Sequence, residues 1–283
     1  MNTRFILRQE IKLSSIQEKM ISSGWGSETL ENTLVEKITY LSGGLKINGY
    51  LAYPIDQSKQ YPCIIWCRGG FGSAGAIDEF NAKGIFGQIA SWGYVVLASQ
   101  YRGNVGSEGE DEFGGSDVDD VLNLIPLADE LEFADTAKCG IEGWSRGGLM
   151  TYLTLTRTAI FKAAVVIGAI AELRNNSGEN NFMQHFIERM KLNYTDVDFQ
   201  KEFEKRSILN FPEKLCSTTP LLLLHGTNDN RVSPEDSIRL AEKLQELNHP
   251  YKLVLLEGGD HFLKTHRDET AELRREWFDN YLT

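Results

Sequence analysis

What the sequence lacks narrows its class before any motif is read. No stretch approaches the roughly 20 consecutive apolar residues that a membrane-spanning helix needs. The first fifteen residues, MNTRFILRQEIKLSS, are broken by Arg4, Arg8, Glu10 and Lys12, so they offer no signal-peptide core, and a cytoplasmic location is expected. Basic charge is in deficit. Twenty-nine Lys and Arg face 40 Asp and Glu, a net charge of -11, which would repel nucleic acid and anionic membranes. Cysteine is scarce, at four residues. Cys63, Cys67 and Cys139 lie in or beside apolar runs and Cys216 follows a short helix, none at CxxC or metal-finger spacing, so reduced thiols are expected rather than disulfides or a metal site. No internal repeat, low-complexity tract or Pro/Ser-rich linker interrupts the chain.

What remains is an ordinary globular composition, 41% hydrophobic over 283 residues, enough for one large domain or one with a modest insertion. Short apolar runs alternate with amphipathic segments. The runs are Leu34–Leu41, Leu45–Tyr53, Cys63–Cys67, Tyr94–Tyr101, Cys139–Trp144, Ala163–Gly168, Pro220–His225 and Tyr251–Leu256. Ser42-Gly43-Gly44 separates the first two, which reads as an antiparallel hairpin. The other six are nearly continuous, as expected of parallel strands covered on both faces. Helical patterns fall near 77–92, 116–131, 146–158, 234–248 and 267–282. The fourth carries a start signal, with Ser233 as cap, Pro234 at the first helical position and Asp236 completing a capping box. Strands alternating with helices imply a mostly parallel eight-stranded α/β sheet flanked by helices. Residues 172–215 are too long for one crossover and carry helical segments near 180–191 and 196–206, which reads as a small helical cap above the strand ends. Residues 1–34 read as a helical N-terminal extension, leaving 35–283 as the catalytic domain.

Gly143-Trp144-Ser145-Arg146-Gly147 matches GxSxG. The pattern alone is weak. Its setting between a strand and a helix makes it the strained turn on which a nucleophilic serine sits, with Ser145 as nucleophile. Such a hydroxyl needs a base. Of the five histidines, His261 lies in the Gly-rich loop Glu257-Gly258-Gly259-Asp260-His261 between the last strand and last helix. His225 ends a strand and is expected in its turn's own hydrogen bonds; His249 sits in a turn, His266 at the last helix and His185 in the cap. Asp229, four residues past the seventh run, is the candidate to accept the Nδ1 proton of His261. The order Ser, Asp, His is that of the α/β-hydrolases. Beyond this triad no His/Asp/Glu cluster has ligand spacing, so no metal or cofactor is expected.

Gly-Trp-Ser-x-Gly-Gly, then His-Gly-Thr-x-Asp-x-x-Val, then Asp-His before a terminal helix resembles the catalytic domain of the prolyl oligopeptidase family of serine peptidases. Tyr101-Arg102-Gly103-Asn104-x-Gly106 resembles that family's Arg-Gly-x-x-Gly loop. The resemblance covers about residues 35–283 and implies an α/β-hydrolase fold and cleavage of small peptides or amides. Two departures stand out. Thirty-four N-terminal residues cannot hold the β-propeller of the larger members, nor the acidic residues it supplies to bind a substrate amine. Arg68 stands where the family often has His or Tyr, the Tyr in some members donating to the oxyanion. A carboxylesterase or acyl esterase on the same triad is the alternative, and a non-catalytic binding protein is a further one that an intact triad disfavours.

The oxyanion needs two donors. The backbone N–H of Arg146 is one candidate. The other should come from Arg68-Gly69-Gly70-Phe71, with Gly69 or Phe71 as the candidate. Arg68, Arg102 and Arg146 all follow strands on the same sheet edge, near Glu108, Glu110, Asp111, Glu112 and Asp117. Either they brace loops by pairing with those acids, or Arg146 or Arg68 holds an anionic group of the substrate. Trp144, Phe71, Phe182 and Phe186 could line an acyl pocket, with Phe113 also within reach. Phe182 and Phe186, four apart, would equally suit a cap packed on the core. A small-molecule or short-peptide substrate is expected.

Overall fold

The computed structural model describes residues 3–173 and 196–283. Nine strands form one sheet: β1 (Phe5–Glu10), β2 (Thr33–Ser42), β3 (Leu45–Pro54), β4 (Tyr61–Cys67), β5 (Val95–Ser99), β6 (Ala134–Trp144), β7 (Phe161–Ile167), β8 (Leu221–Gly226) and β9 (Tyr251–Leu256). Their order is β1-β2-β3-β5-β4-β6-β7-β8-β9. The expected hairpin is β2–β3, paired from Thr33↔Pro54 to Ser42↔Leu45. Its two-residue turn needs positive φ twice, and Gly43 (57°) and Gly44 (86°) supply it. Strand β3 also pairs antiparallel with β5, and the six strands β4 to β9 are all parallel to one another.

Helices cover both faces. Along β4, Cys63, Ile65 and Cys67 point into one apolar layer and Ile64 and Trp66 into the other, so neither face tolerates polar residues and the run is continuous. The first layer is closed by α4 (Val118–Leu122), α5 (Leu124–Ala128), α6 (Arg146–Leu155) and α8 (Glu235–Glu246), the second by α3 (Glu79–Ser91) and α9 (Arg267–Leu282).

Three expectations needed correction. Residues 1–34 do hold helices, α1 (Ser15–Trp25) and α2 (Glu28–Glu31), but β1 was not foreseen: it extends the sheet antiparallel to β2. Its residues are exposed apart from Phe5, so it shows no burial alternation and exists by backbone pairing on an open edge. The helix expected over 116–131 is two short ones, because Pro126 donates no N–H and its ring crowds the carbonyl of Leu122. Asp236 does not close a capping box. Its Oδ2 accepts the N–H groups of Ala171 (2.9 Å) and Glu172 (3.2 Å), tying the chain leaving β7 to α8. In the expected cap, α7 (Asp196–Arg206) forms as read, followed by two 3-10 turns. The segment near 180–191, with Phe182, His185 and Phe186, lies outside the described residues.

Candidate active site

The strand order sets where chemistry can occur. From β4 the chain steps outward to β5 and then back to β6 on the other side, so the loops leaving β4 and β6 part over a crevice at their carboxyl ends. Cys67 pairs with Gly143, which brings the Arg68–Phe71 loop beside Ser145.

Ser145 is the hinge between β6 and α6, at φ 59° and ψ −121°, a conformation that a non-glycine residue holds only under constraint. Its N–H donates to Ile167 O (2.8 Å) and its carbonyl accepts from Gly148 N (2.9 Å). The flanking glycines are required by close approach. A Cβ on Gly143 would lie 2.1 Å from Gly147 O, and one on Gly147 would lie 2.0 Å from Cys67 O. The local sequence therefore forces the turn.

His261 and Asp229 meet across the loops after β9 and β8, with His261 Nδ1 2.7 Å from Asp229 Oδ2. Both are at least nine-tenths buried. Asp229 is held from its other side, where Oδ1 accepts the N–H groups of Arg231 (2.8 Å) and Val232 (3.0 Å). Burial alone would raise its carboxyl, but hydrogen bonds from His225 and His261 and the Val232 N–H hold it well below the usual carboxylate range. An ionised Asp229 accepts only. The proton on that contact is therefore on His261 Nδ1, which leaves Nε2 free to take one. The indole N–H of Trp144 donates to the backbone carbonyl of His261 (3.0 Å), linking the residue before Ser145 to the histidine loop.

Ser145 and His261 line one cavity of about 730 Å³, together with Gly69, Trp144, Ile77 and Phe262. Its lining is mostly apolar, with Glu172, Arg231 and Asp236 at one side. Among the described residues no group of three His, Cys, Asp or Glu side chains could hold a metal ion.

The arginines go inward. Arg146 is fully buried, its guanidinium donating to Asp111 Oδ1 (2.5 Å) and Oδ2 (2.8 Å), Asp117 Oδ2 (2.5 Å) and Gly70 O (3.0 Å). Burial works against its charge, but the two aspartates keep it protonated. Arg102 pairs with Asp120 (2.8 Å). Arg68 is fully buried and donates to backbone carbonyls of Gln100, Gly69 and Gly72. The bracing reading thus describes Arg146; Arg102 also braces its loop, but through Asp120, which the reading did not include. Neither Arg68 nor Arg146, the candidate holders of a substrate anion, lines the cavity, since both are fully buried behind it. Phe71 and Phe113 pack edge-to-face 5.9 Å apart; Phe113 is fully buried against Arg146, and neither lines the cavity.

The sequence profile of the prolyl oligopeptidase family matches residues 83–283. The chain belongs to that family. Membership makes it a serine-type hydrolase of the α/β-hydrolase fold. It is 31% identical over 246 residues to the uncharacterized peptidase YtmA of Bacillus subtilis, covering 86% of this chain and 92% of YtmA. It is 27% identical to the uncharacterized peptidase YuxL of the same organism, of which it spans 42%. Two solved prolyl oligopeptidase family structures share the fold. The acylaminoacyl peptidase of Pyrococcus horikoshii has a TM-score of 0.75 at 22% identity, with 94% of this chain and 43% of that one covered. The dipeptidyl peptidase 4 of Porphyromonas gingivalis has a TM-score of 0.73 at 23% identity, with 89% and 36% covered. Apart from YtmA, the chain spans less than half the length of these family members.

Several residues beside this candidate site were not foreseen from the sequence. His225 does bond within its turn, with Nδ1 2.7 Å from Ser237 Oγ and Nε2 3.1 Å from Val232 O. It also brings Nε2 to 3.3 Å from Asp229 Oδ2, so two histidines share one carboxylate oxygen. Phe262, next to His261, packs edge-to-face against it with centroids 5.4 Å apart, and adjacency could have signalled it. Ile77 and Ile85 carry no such signal, because nothing in a helix start reveals that it forms a cavity wall.

Proposed function

We propose that this chain cleaves amide bonds of short peptides through an acyl-enzyme formed on Ser145. The observation that carries the reading is the 2.7 Å contact between His261 Nδ1 and a constrained, ionised Asp229, with His261 and Ser145 on the wall of one cavity. Ser145 Oγ attacks the scissile carbonyl carbon as His261 Nε2 takes its proton, and the carbonyl oxygen becomes an oxyanion. The intermediate collapses when the imidazolium returns that proton to the leaving amine, breaking the C–N bond. Water then attacks the ester on Ser145 as His261 accepts its proton; the imidazolium returns a proton to Ser145 Oγ as the acyl C–O bond breaks, releasing the acid and regenerating the serine. The oxyanion donors are the N–H of Arg146 and one from the loop after β4, at Gly69 or Phe71. Trp144 lines the acyl side.

Peptidase names among the relatives support amide cleavage, and the mostly apolar cavity supports uncharged side chains beside the scissile bond. Residues 35–283 constitute the catalytic unit, with 172–215 as its cap and the first 34 residues as an extension that adds β1. Four unpaired thiols favour a reducing compartment, consistent with the cytoplasm.

Matched aminoacyl p-nitroanilides and p-nitrophenyl esters, with fluorophosphonate labelling, test the reading. Anilide turnover and labelling lost in Ser145→Ala are expected. Turnover of esters alone would make the chain an esterase, and equal labelling of Ser145→Ala would remove Ser145 as nucleophile.

A further inference from the structure

The loop after β4 is held from behind by buried side chains. The Arg68 carbonyl accepts the Tyr101 hydroxyl (3.0 Å), the Gly69 carbonyl accepts Arg68 Nη1 (3.2 Å), and the Gly70 carbonyl accepts Arg146 Nη1 (3.0 Å). Arg68 Nη2 reaches on to Gly72 O (3.2 Å). Three consecutive carbonyls are thereby fixed in direction. Among the described residues no peptide bond is cis, and in a trans peptide the N–H lies antiparallel to the C=O of the same plane. Anchoring the Arg68 carbonyl aims the Gly69 N–H; anchoring the Gly70 carbonyl aims the Phe71 N–H. These are the two candidate oxyanion donors. The loop lies hard against the nucleophile, since a Cβ on Gly69 would be 2.9 Å from Trp144 O and 3.3 Å from Ser145 Cβ.

The anchors are themselves rigid. Asp111 grips both Nη atoms of Arg146 in a fork, Asp117 takes a further hydrogen on Nη2, and the remaining hydrogen on Nη1 is left for Gly70. The rings of Phe113 and Tyr101 flank the guanidinium at 4.5 and 5.0 Å. Arg68 also lies against Tyr101, at 5.4 Å. None of the three anchoring side chains lines the cavity.

We propose that Arg146, Arg68 and Tyr101 form a buried clamp that aims the backbone N–H groups of the Gly69–Phe71 loop at the developing oxyanion. They are positioning residues, and the clamp rests on the reading of Ser145 as nucleophile. Arg68 occupies the place from which some family members offer a tyrosine hydroxyl. Here that side chain points away from the cavity, and oxyanion stabilisation falls to the backbone.

Arg146→Lys and Tyr101→Phe test the clamp, Arg146→Lys because an ammonium lacks the fork that serves Asp111 and Gly70 together. Three quantities are measured: kcat and KM, affinity for a peptidyl trifluoromethyl ketone, which forms a tetrahedral oxyanion on serine, and affinity for the product acid. Losing an oxyanion donor costs roughly 100- to 1,000-fold in kcat, so a misaimed one is expected to cost about tenfold or more. KM and product affinity should stay within about twofold, while ketone affinity falls in step with kcat. Thermal melting identifies a folded variant, and if Arg146→Lys does not fold, Tyr101→Phe decides. Unchanged kcat in the folded variants, or lost kcat with undiminished ketone affinity, overturns the clamp alone. Wild type that fluorophosphonate fails to label at Ser145 overturns the nucleophile reading and the clamp with it.

Discussion

Replacing Asp229 by Asn keeps the shape of the site and reverses one hydrogen bond. Oδ1 accepts two backbone N–H groups, at 2.8 and 3.0 Å, which hold an acceptor in that position. The amide oxygen of Asn takes that place, so its NH2 replaces Oδ2, facing His261 Nδ1 and His225 Nε2. His261 Nδ1 must then accept, which moves its proton to Nε2, and a protonated Nε2 cannot take the proton of Ser145. A wrong tautomer in a triad of this kind lowers kcat by about 10,000-fold. That is roughly 5 kcal/mol of transition-state stabilisation, whereas the folded state loses only about 1–3 kcal/mol for one altered buried hydrogen bond. Asp229→Asn should therefore fold and bind substrate with little change in KM while kcat collapses. Steady-state kinetics on the best anilide, with a urea titration as the folding control, measures both. A folded Asp229→Asn protein retaining kcat within about tenfold of wild type would falsify the orienting role of Asp229.

Acid stability gives a second prediction. Burial would raise the Asp111 carboxyl, but Arg146 lowers it to about 2 from 3.8, so its contribution is fully present above pH 4 and is lost as pH falls from about 4 to 2. The contribution is about 2 kcal/mol, and chemical denaturation across that window should show a shallower pH slope in Asp111→Asn; an identical slope refutes it. Thiol reactivity is a third. Burial pushes Cys63 and Cys67 up to about 12 and Cys139 well above the usual thiol range, while Cys216 is partly exposed. A disulfide reagent should titrate one thiol in the native protein and four in denaturant; fast reaction of a second native thiol would contradict the packing. Finally, Phe278→Ala empties a fully buried site where α9 packs over β6, with a loss of about 3–5 kcal/mol in urea unfolding. A loss below 1 kcal/mol would mean α9 is not seated there.

The strands that a sequence reveals are those whose burial is settled by their own residues. Strands β4 to β8 are covered on both faces and read as apolar runs, and the half-exposed edge strand β9 still reads as one; β1, whose residues face solvent, has only its partner's open edge to define it. Ser145 was legible for the same local reason. Its turn is forced by glycines two residues to either side, whatever the rest of the chain does. Asp229 and His261 were legible because each lies in a short loop at the end of its own strand, so chain order translates directly into place.

What residue identity could not supply was direction. Arg146 and Arg68 read equally as braces or as substrate anchors, since a loop arginine reaches either way. Only the packed structure, with Asp111, Asp117, Tyr101 and Phe113 assembled around them, turns both side chains inward against the backs of the loop peptides. His225 likewise read as a turn residue and is one, and its second contact, to Asp229 four residues on, lies within the same turn; the contact that needs β8 and β9 side by side is that of His261 with Asp229. The sequence by itself pointed to the proposed chemistry, a serine, a base and an orienting carboxylate in the loops after parallel strands, because each is encoded within a few residues. The tertiary structure alone decided which buried charges back the loop after β4, because those contacts join residues up to 76 positions apart.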